Sequence, residues 1–310
     1  MSLRVTFLGT GGAVPTTRRN TSSIFLRREG DRLLFDCGEG TQRQMMRFGT
    51  GFTVSHIFVT HIHGDHTLGI PGLLQTMDFN EREAELSIHV PTAARSRLEA
   101  FIDAAAGRPS FPLRIDGVDD GDTVLNGDGY EITAFRTDHD TPSVGYALRE
   151  DDRKGRFDRE RAEDLGVPVG PMFQQLHAGE AVELDDGTVV EPEQVVGSPR
   201  PGRSVVYTGD TRPTERTVEV ACDADLLIHD ATFAADHETR ARRTGHSTAE
   251  WAANIANRAG AKRLALVHIS SRYAGNADPI ERDAREAFAG EEAFVPEDGD
   301  VVEIPYPDAD

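Results

Sequence analysis

The stretch His61-Ile62-His63-Gly64-Asp65-His66 sets three imidazoles and a carboxylate directly behind the apolar run Ile57-Phe58-Val59. Such groups are costly to gather at the exit of a buried strand unless an ion or a partner holds them. A metal ion is the simplest agent that would do so. The spacing differs from H-E-x-x-H, in which a helix sets both histidines on one face. Here His61 and His63 stand two apart in an extended exit, Gly64 permits a sharp turn, and Asp65 and His66 can face a second ion.

The same arrangement recurs along the chain. The run 130–135 leads to Asp138-His139-Asp140, 204–208 to Gly209-Asp210, 225–228 to His229-Asp230, and 263–267 to His268. Five apolar runs thus release an imidazole or a carboxylate near their carboxyl ends, the edge at which ligands bind in open α/β sheets. Nitrogen and carboxylate donors without a thiolate suit Zn²⁺, with Mn²⁺ or Fe²⁺ also accommodated. One zinc needs three or four protein ligands, so a set of about seven is enough for two ions bridged by one carboxylate. His56, His89, His177 and His237 lack the strand-end setting and read as structural.

Further apolar runs at 3–9, 32–38, 86–90 and 143–149 read as buried strands. Helical patterns cover 41–49, 92–107 and 247–260, the last with Ser247 and Glu250 as a capping box and Gly260 as its stop. The alternation predicts a layered α/β fold. Residues 150–199 break it, being charged, rich in Gly and Pro and poor in apolar runs. They read as a structured arm inserted between core segments 1–149 and 200–310.

No apolar run reaches about 18 residues, so no membrane span is expected, and the amino-terminal stretch reads as a strand and not as a secretory signal. The two cysteines, Cys37 and Cys222, form no C-x-x-C and fit a reducing cytoplasm. Asp and Glu number 53 against 33 Lys and Arg, a net charge of −20, with Lys154 and Lys262 the only lysines. The acids are scattered along the chain, as in a carboxylate shell adapted to high salt. At about 1 M salt the Debye length is about 3 Å, so the charge does not exclude a polyanionic substrate such as nucleic acid.

The block HIHGDH, followed in order by His139, Asp210 and His268, is similar to the H-x-H-x-D-H ligand set of the metallo-β-lactamase fold. The resemblance implies an αβ/βα four-layer sandwich of two mixed sheets with helices outside. It assigns His61, His63 and His139 to a first zinc, Asp65, His66 and His268 to a second, and Asp210 to both. Fold alone does not choose a substrate, but four further stretches resemble the ribonuclease Z family, endonucleases that trim precursor tRNA at its 3′ end. They are GTGGAVPTTRRN (9–20), HDATF (229–233) with HST (246–248), HISSRY (268–273), and GVPVGPMFQQLHAGE (166–180). The last is similar to the Gly-Pro segment of that family's flexible tRNA-binding arm.

The resemblance spans essentially the whole chain and implies a zinc-dependent phosphodiester hydrolase that leaves a 3′-hydroxyl on the tRNA and a 5′-phosphate on the trailer. It implies Asp65 as the acceptor of the water's proton, His246 held by Asp230 as the general acid, and Arg18, Arg19, Asn20, Arg272, Gly170 and Pro171 as contacts to RNA. It also implies a homodimer in which one subunit's arm holds tRNA for the partner's site. Two positions depart from the family pattern. Thr17 stands at the lysine of P-x-K-x-R-N, with Arg18 beside it, and Asp230 stands where Glu is usual. The alternatives are another phosphodiesterase of this fold acting on a small substrate, and a non-catalytic RNA-binding relative.

Overall fold

The long apolar runs form strands covered on both faces, as their unbroken hydrophobicity requires. A computed structural model describes residues 2–307; Met1 and 308–310, at the outer ends of the two core segments, lie outside the described residues. The chain divides into two compact units.

The larger unit runs to Arg149 and resumes over Arg203–Pro305. It holds two seven-stranded sheets. The first has the order Val301–Glu303, Leu3–Gly9, Ser23–Arg28, Asp31–Phe35, His56–Phe58, Leu86–Pro91, Leu113–Val118. The second has the order Glu292–Phe294, Arg263–Val267, Leu226–Asp230, Ser204–Tyr207, Val144–Glu150, Tyr130–Arg136, Thr123–Gly127. Each sheet mixes antiparallel pairs with a block of parallel ones.

Leu3, Val5, Phe7, Ile24 and Phe58 of the first sheet pack with Tyr146, Val205, Leu226 and Ile228 of the second in one inter-sheet core. The helices Thr41–Arg47, Ile70–Phe79 and Arg95–Ala105 close the outer face of the first sheet through Met45, Leu73, Leu74 and Leu98. The helices Ala249–Ala259 and Asp278–Ala287 close the second through Ala249, Ala252, Ala253, Ala256 and Ile280. These layers are the predicted αβ/βα sandwich.

Register places the functional groups. Phe35, Phe58 and His89 lie side by side in the parallel block of the first sheet, so Asp36 and the 61–66 segment leave by one edge. In the second sheet Tyr207 pairs with Ile228 and Asp230 with Val267, so Asp210, Asp230 and His268 emerge together.

Two local expectations change. The helix predicted from Ser247 starts at Ala249, and its N-cap is Thr248, whose side chain accepts the Trp251 amide. Ser247 is fully buried and instead donates to the Thr211 carbonyl at 2.7 Å, so the capping box does not form. Gly260 ends the helix in the left-handed conformation, as its position predicts.

The smaller unit comprises Glu150–Gly202 and the segment that begins at Tyr306. It is structured, as the sequence suggests, and extends three residues past the predicted boundary at 199. Two helices, Arg159–Asp164 and Pro171–Ala178, and a short hairpin of Val182–Glu183 with Val189–Val190 surround Ala162, Val167, Leu176 and Val195.

Candidate active site

Four histidines are each pinned at Nδ1, which fixes the tautomer and turns Nε2 inward. His66 Nδ1–H donates to Asp36 at 2.7 Å, and His139 Nδ1–H donates to the Gly245 carbonyl at 2.8 Å. The Thr60 hydroxyl gives its proton to Asp36 at 2.9 Å and so accepts from His61 Nδ1–H at 3.1 Å. Thr232 gives its hydroxyl proton to Asp230 at 2.7 Å and accepts from His268 Nδ1–H at 2.8 Å.

The inward atoms cluster. His63 Nδ1 lies 3.0 Å from His61 Nε2 and 3.2 Å from His139 Nε2. Asp65 Oδ2 lies 3.1 Å from His268 Nε2 and 3.7 Å from His66 Nε2. Asp210 stands between the two groups, with Oδ2 3.6 Å from His61 and 3.3 Å from His268, and Oδ1 3.3 Å from His66. The donors of His61, His63, His139 and Asp210 all fall within 4.8 Å of one another, as do those of Asp65, His66 and His268.

A divalent cation fits this arrangement on two counts. Tetrahedral zinc with nitrogen ligands at about 2.0–2.1 Å spaces those nitrogens about 3.4 Å apart, close to the separations found. His66 Nε2 and Asp210 Oδ1 are also buried without any hydrogen-bond partner, which a protein tolerates where an ion completes the site. Burial and the neighbouring imidazoles hold the pKa of His61 well below its usual value, which keeps its lone pair free. Burial opposes a charge on His66, yet Asp210, Asp36 and Asp65 push its pKa well up, a measure of how strongly this pocket draws a cation.

Asp230 is completely buried and fully engaged. Its Oδ1 accepts the Thr232 amide and hydroxyl, and its Oδ2 accepts the Thr211 amide and His246 Nδ1–H at 2.9 Å. The shorter side chain therefore reaches His246. Burial disfavours the imidazolium of His246, but the charge and hydrogen bond of Asp230 outweigh it and raise its pKa to about 9. His246 stacks on His268 at 4.9 Å and lies 5.1 Å from His139, beside the ligand cluster.

The loop at 9–20 meets the site through its backbone. The Ala13 amide donates to Asp65 Oδ2 at 2.7 Å, and Gly12 lies so close to His268 that a Cβ there would stand 2.4 Å from the ring. Arg18 is exposed, held at the Gly275 carbonyl. Arg19 departs from the role expected of it. It is buried, and its guanidinium is engaged by Thr10 and the Pro296 carbonyl, so it braces the loop and offers no free charge to RNA. Asn20 braces it too, its amide donating to the Glu39 carbonyl. Arg272 is exposed, beside His237. Gly170 and Pro171 belong to the smaller unit, where Gly170 at φ 152° precedes a helix that Pro171 opens.

Sequence reasoning passed over Asp36, Thr60, Thr232 and Gly245, which orient the clustered histidines. Asp36 carried the signal already used elsewhere, a carboxylate closing an apolar run, and it also accepts the buried Tyr207 hydroxyl at 2.8 Å. Thr60, Thr232 and Gly245 carried none, because threonine and glycine announce no chemistry.

Known proteins resemble this chain in sequence and in fold. Residues 3–150 match the family model described as anti-Pycsar protein Apyc1, and 187–269 match the β-lactamase superfamily domain. The short form of human tRNase Z superposes with a TM-score of 0.69 at 28% identity, over 97% of this chain and 99% of that one. The protein named ribonuclease Z from Haloferax volcanii is 62% identical over all of this chain and 98% of its own. That of Natronomonas pharaonis is 75% identical over 99% of this chain and all of its own. The chain belongs to the ribonuclease Z family of the metallo-β-lactamase fold.

Proposed function

We propose that the chain is an endoribonuclease that hydrolyses precursor tRNA at its 3′ end, leaving a 3′-hydroxyl on the tRNA and a 5′-phosphate on the trailer. The observation that carries the reading is the convergence of five imidazole nitrogens and two carboxylates beside a histidine with a buried carboxylate behind it. His61, His63 and His139 would hold one Zn²⁺, Asp65, His66 and His268 a second, and Asp210 both. When bound, such ions stabilise charge on the phosphoryl oxygens and lower the pKa of water from about 15.7 towards 7.

The residues supply the rest. Asp65, oriented by the Ala13 amide, accepts the proton of the attacking water. His246, kept protonated by Asp230, delivers a proton to the ribose 3′-oxygen as it leaves. Arg18 and Arg272 offer exposed guanidinium groups to the flanking phosphates.

The smaller unit is the tRNA-binding arm in this proposal, and Gly170 and Pro171 shape the segment that meets the tRNA. The chain works as a cytoplasmic homodimer, each arm presenting tRNA to the partner's site, and its acidic surface is adapted to high salt. Among the described residues no helix is long and apolar enough to cross a membrane. End-group analysis of the products tests the chemistry. A 3′-hydroxyl on the tRNA is expected; a 2′,3′-cyclic phosphate would assign the attack to the ribose 2′-hydroxyl and overturn the proposal.

A further inference from the structure

A run of aromatic rings leads from His246 to solvent. Phe233 meets His246 nearly edge-on, with centroids 6.3 Å and planes 70° apart. His237 lies parallel to Phe233, at 6.1 Å and 8°. Tyr273 stands edge-on to His237 at 6.5 Å. Phe233 is buried, whereas 32% of the His237 side chain is exposed. The run thus starts in the wall of the active site and ends in a partly exposed ring.

The outer ring is held in place. His237 Nδ1–H donates to Asp236 at 2.6 Å, and its Nε2 accepts a long hydrogen bond of 3.4 Å from Arg272 Nη1. The Tyr273 hydroxyl accepts the Ala234 amide at 3.2 Å, which ties the segment at 268–273 to this corner. His237 is consequently a flat, oriented ring with a guanidinium at its rim. It neither contacts the ligand cluster nor packs into the core. Such a ring, backed by a second one and flanked by Arg, is suited to take an unpaired base on its face and a phosphate at its edge.

The position selects the nucleotide. His246 is the proton donor to the leaving 3′-oxygen in the function proposed above, on which this inference rests. Rings adjoining His246 therefore lie on the side of the nucleotide that carries that oxygen. We propose that His237, backed by Phe233 and flanked by Arg272, is a stacking platform for the base of the nucleotide immediately 5′ of the scissile phosphate. Stacking accepts any base, since every base has a π-face. The platform would fix the depth to which the tRNA end enters the site without reading its identity.

The test pairs a protein change with a substrate change. Wild type, His237→Ala and His237→Phe are compared on a precursor tRNA and on the same precursor with an abasic residue just 5′ of the cleavage position. For wild type the abasic residue is expected to lower kcat/KM by about 10- to 100-fold, the range a single base–aromatic stack carries. His237→Ala should lose the same factor on the intact precursor, mainly through KM, and lose little more on the abasic one. His237→Phe should restore most of the loss, and all three proteins should bind equal amounts of metal. Equal cleavage of the two substrates by wild type, or independent and multiplying losses in His237→Ala, would overturn the platform while leaving the nuclease assignment intact. Failure of wild type to cleave the intact precursor would overturn both.

Discussion

His246 is useful only if its proton reaches a poor leaving group, a demand that depends on the substrate. His246→Ala should therefore lower kcat on precursor tRNA by about 10²- to 10⁴-fold, the usual worth of a positioned acid. It should leave hydrolysis of bis(p-nitrophenyl) phosphate nearly unchanged, because nitrophenolate departs without a proton. Equal losses on both substrates would remove His246 from the role of acid. Gly12 makes a different prediction. A methyl group at that position collides with the His268 ring, and Gly12→Ala should weaken metal binding by about 10- to 100-fold, as loss of a supporting group around a ligand does. Competition with a chelating dye measures it. At this scale the clustered imidazoles and carboxylates of 61–66, His139, Asp210 and His268 were legible because such groups near the ends of apolar runs are rare without a purpose, whereas His246 follows no apolar run and only the family resemblance pointed to it. Arg19 was expected at the RNA because its loop resembles the family's, whereas in the structure its guanidinium is engaged by Thr10 and the Pro296 carbonyl.

Strands carry the site, and their register was the hidden variable. The runs at 204–207 and 263–267 read clearly because every residue after the first is apolar and buried. The strands Ser23–Arg28 and Leu113–Val118 carry polar residues and lack that signature. The helix Ile70–Phe79 was hidden because only Leu68 and Gly69 separate it from the short Gly64–Thr67 helix, behind a stretch read for its imidazoles and carboxylate. Thr248 caps its helix, so Thr248→Ala should cost about 1 kcal/mol in denaturant unfolding. The pair at the strand positions His56 and His89 sets a pH dependence. Burial, reinforced by His56, lowers the pKa of His89 to about 4, below the value of about 6.5 it has when unfolded. The unfolded chain thus takes the proton first, and the stability this group contributes is complete above pH 6.5 and lost as pH falls towards 4. His89→Phe, which keeps the stack on Phe58, should reduce the loss between pH 7 and 4.5 by about 2–3 kcal/mol in urea unfolding. An identical loss in both proteins would contradict this.

For the molecule as a whole, the division of labour between the two units is the testable point. The smaller unit has its own apolar cluster, so removing Glu150–Gly202 and rejoining the chain should leave the larger unit folded. The shortened protein should keep its hydrolysis of bis(p-nitrophenyl) phosphate and lose binding of precursor tRNA. Parallel losses would show that the arm shapes the site and does not merely hold RNA. The carboxylate excess was legible from composition, and it predicts a melting temperature that climbs as KCl is raised from 0.1 M to 2 M, with screening of self-repulsion as the cause. Retained hydrolysis by the shortened protein requires that paired cations act in the larger unit. The most direct measurement adds Zn²⁺ stepwise to chelator-stripped protein and follows cleavage of a precursor tRNA against bound metal. Cleavage should be absent without metal and reach its plateau at about two equivalents per chain, as a two-metal site requires. Full-rate cleavage by protein holding no metal would contradict the account.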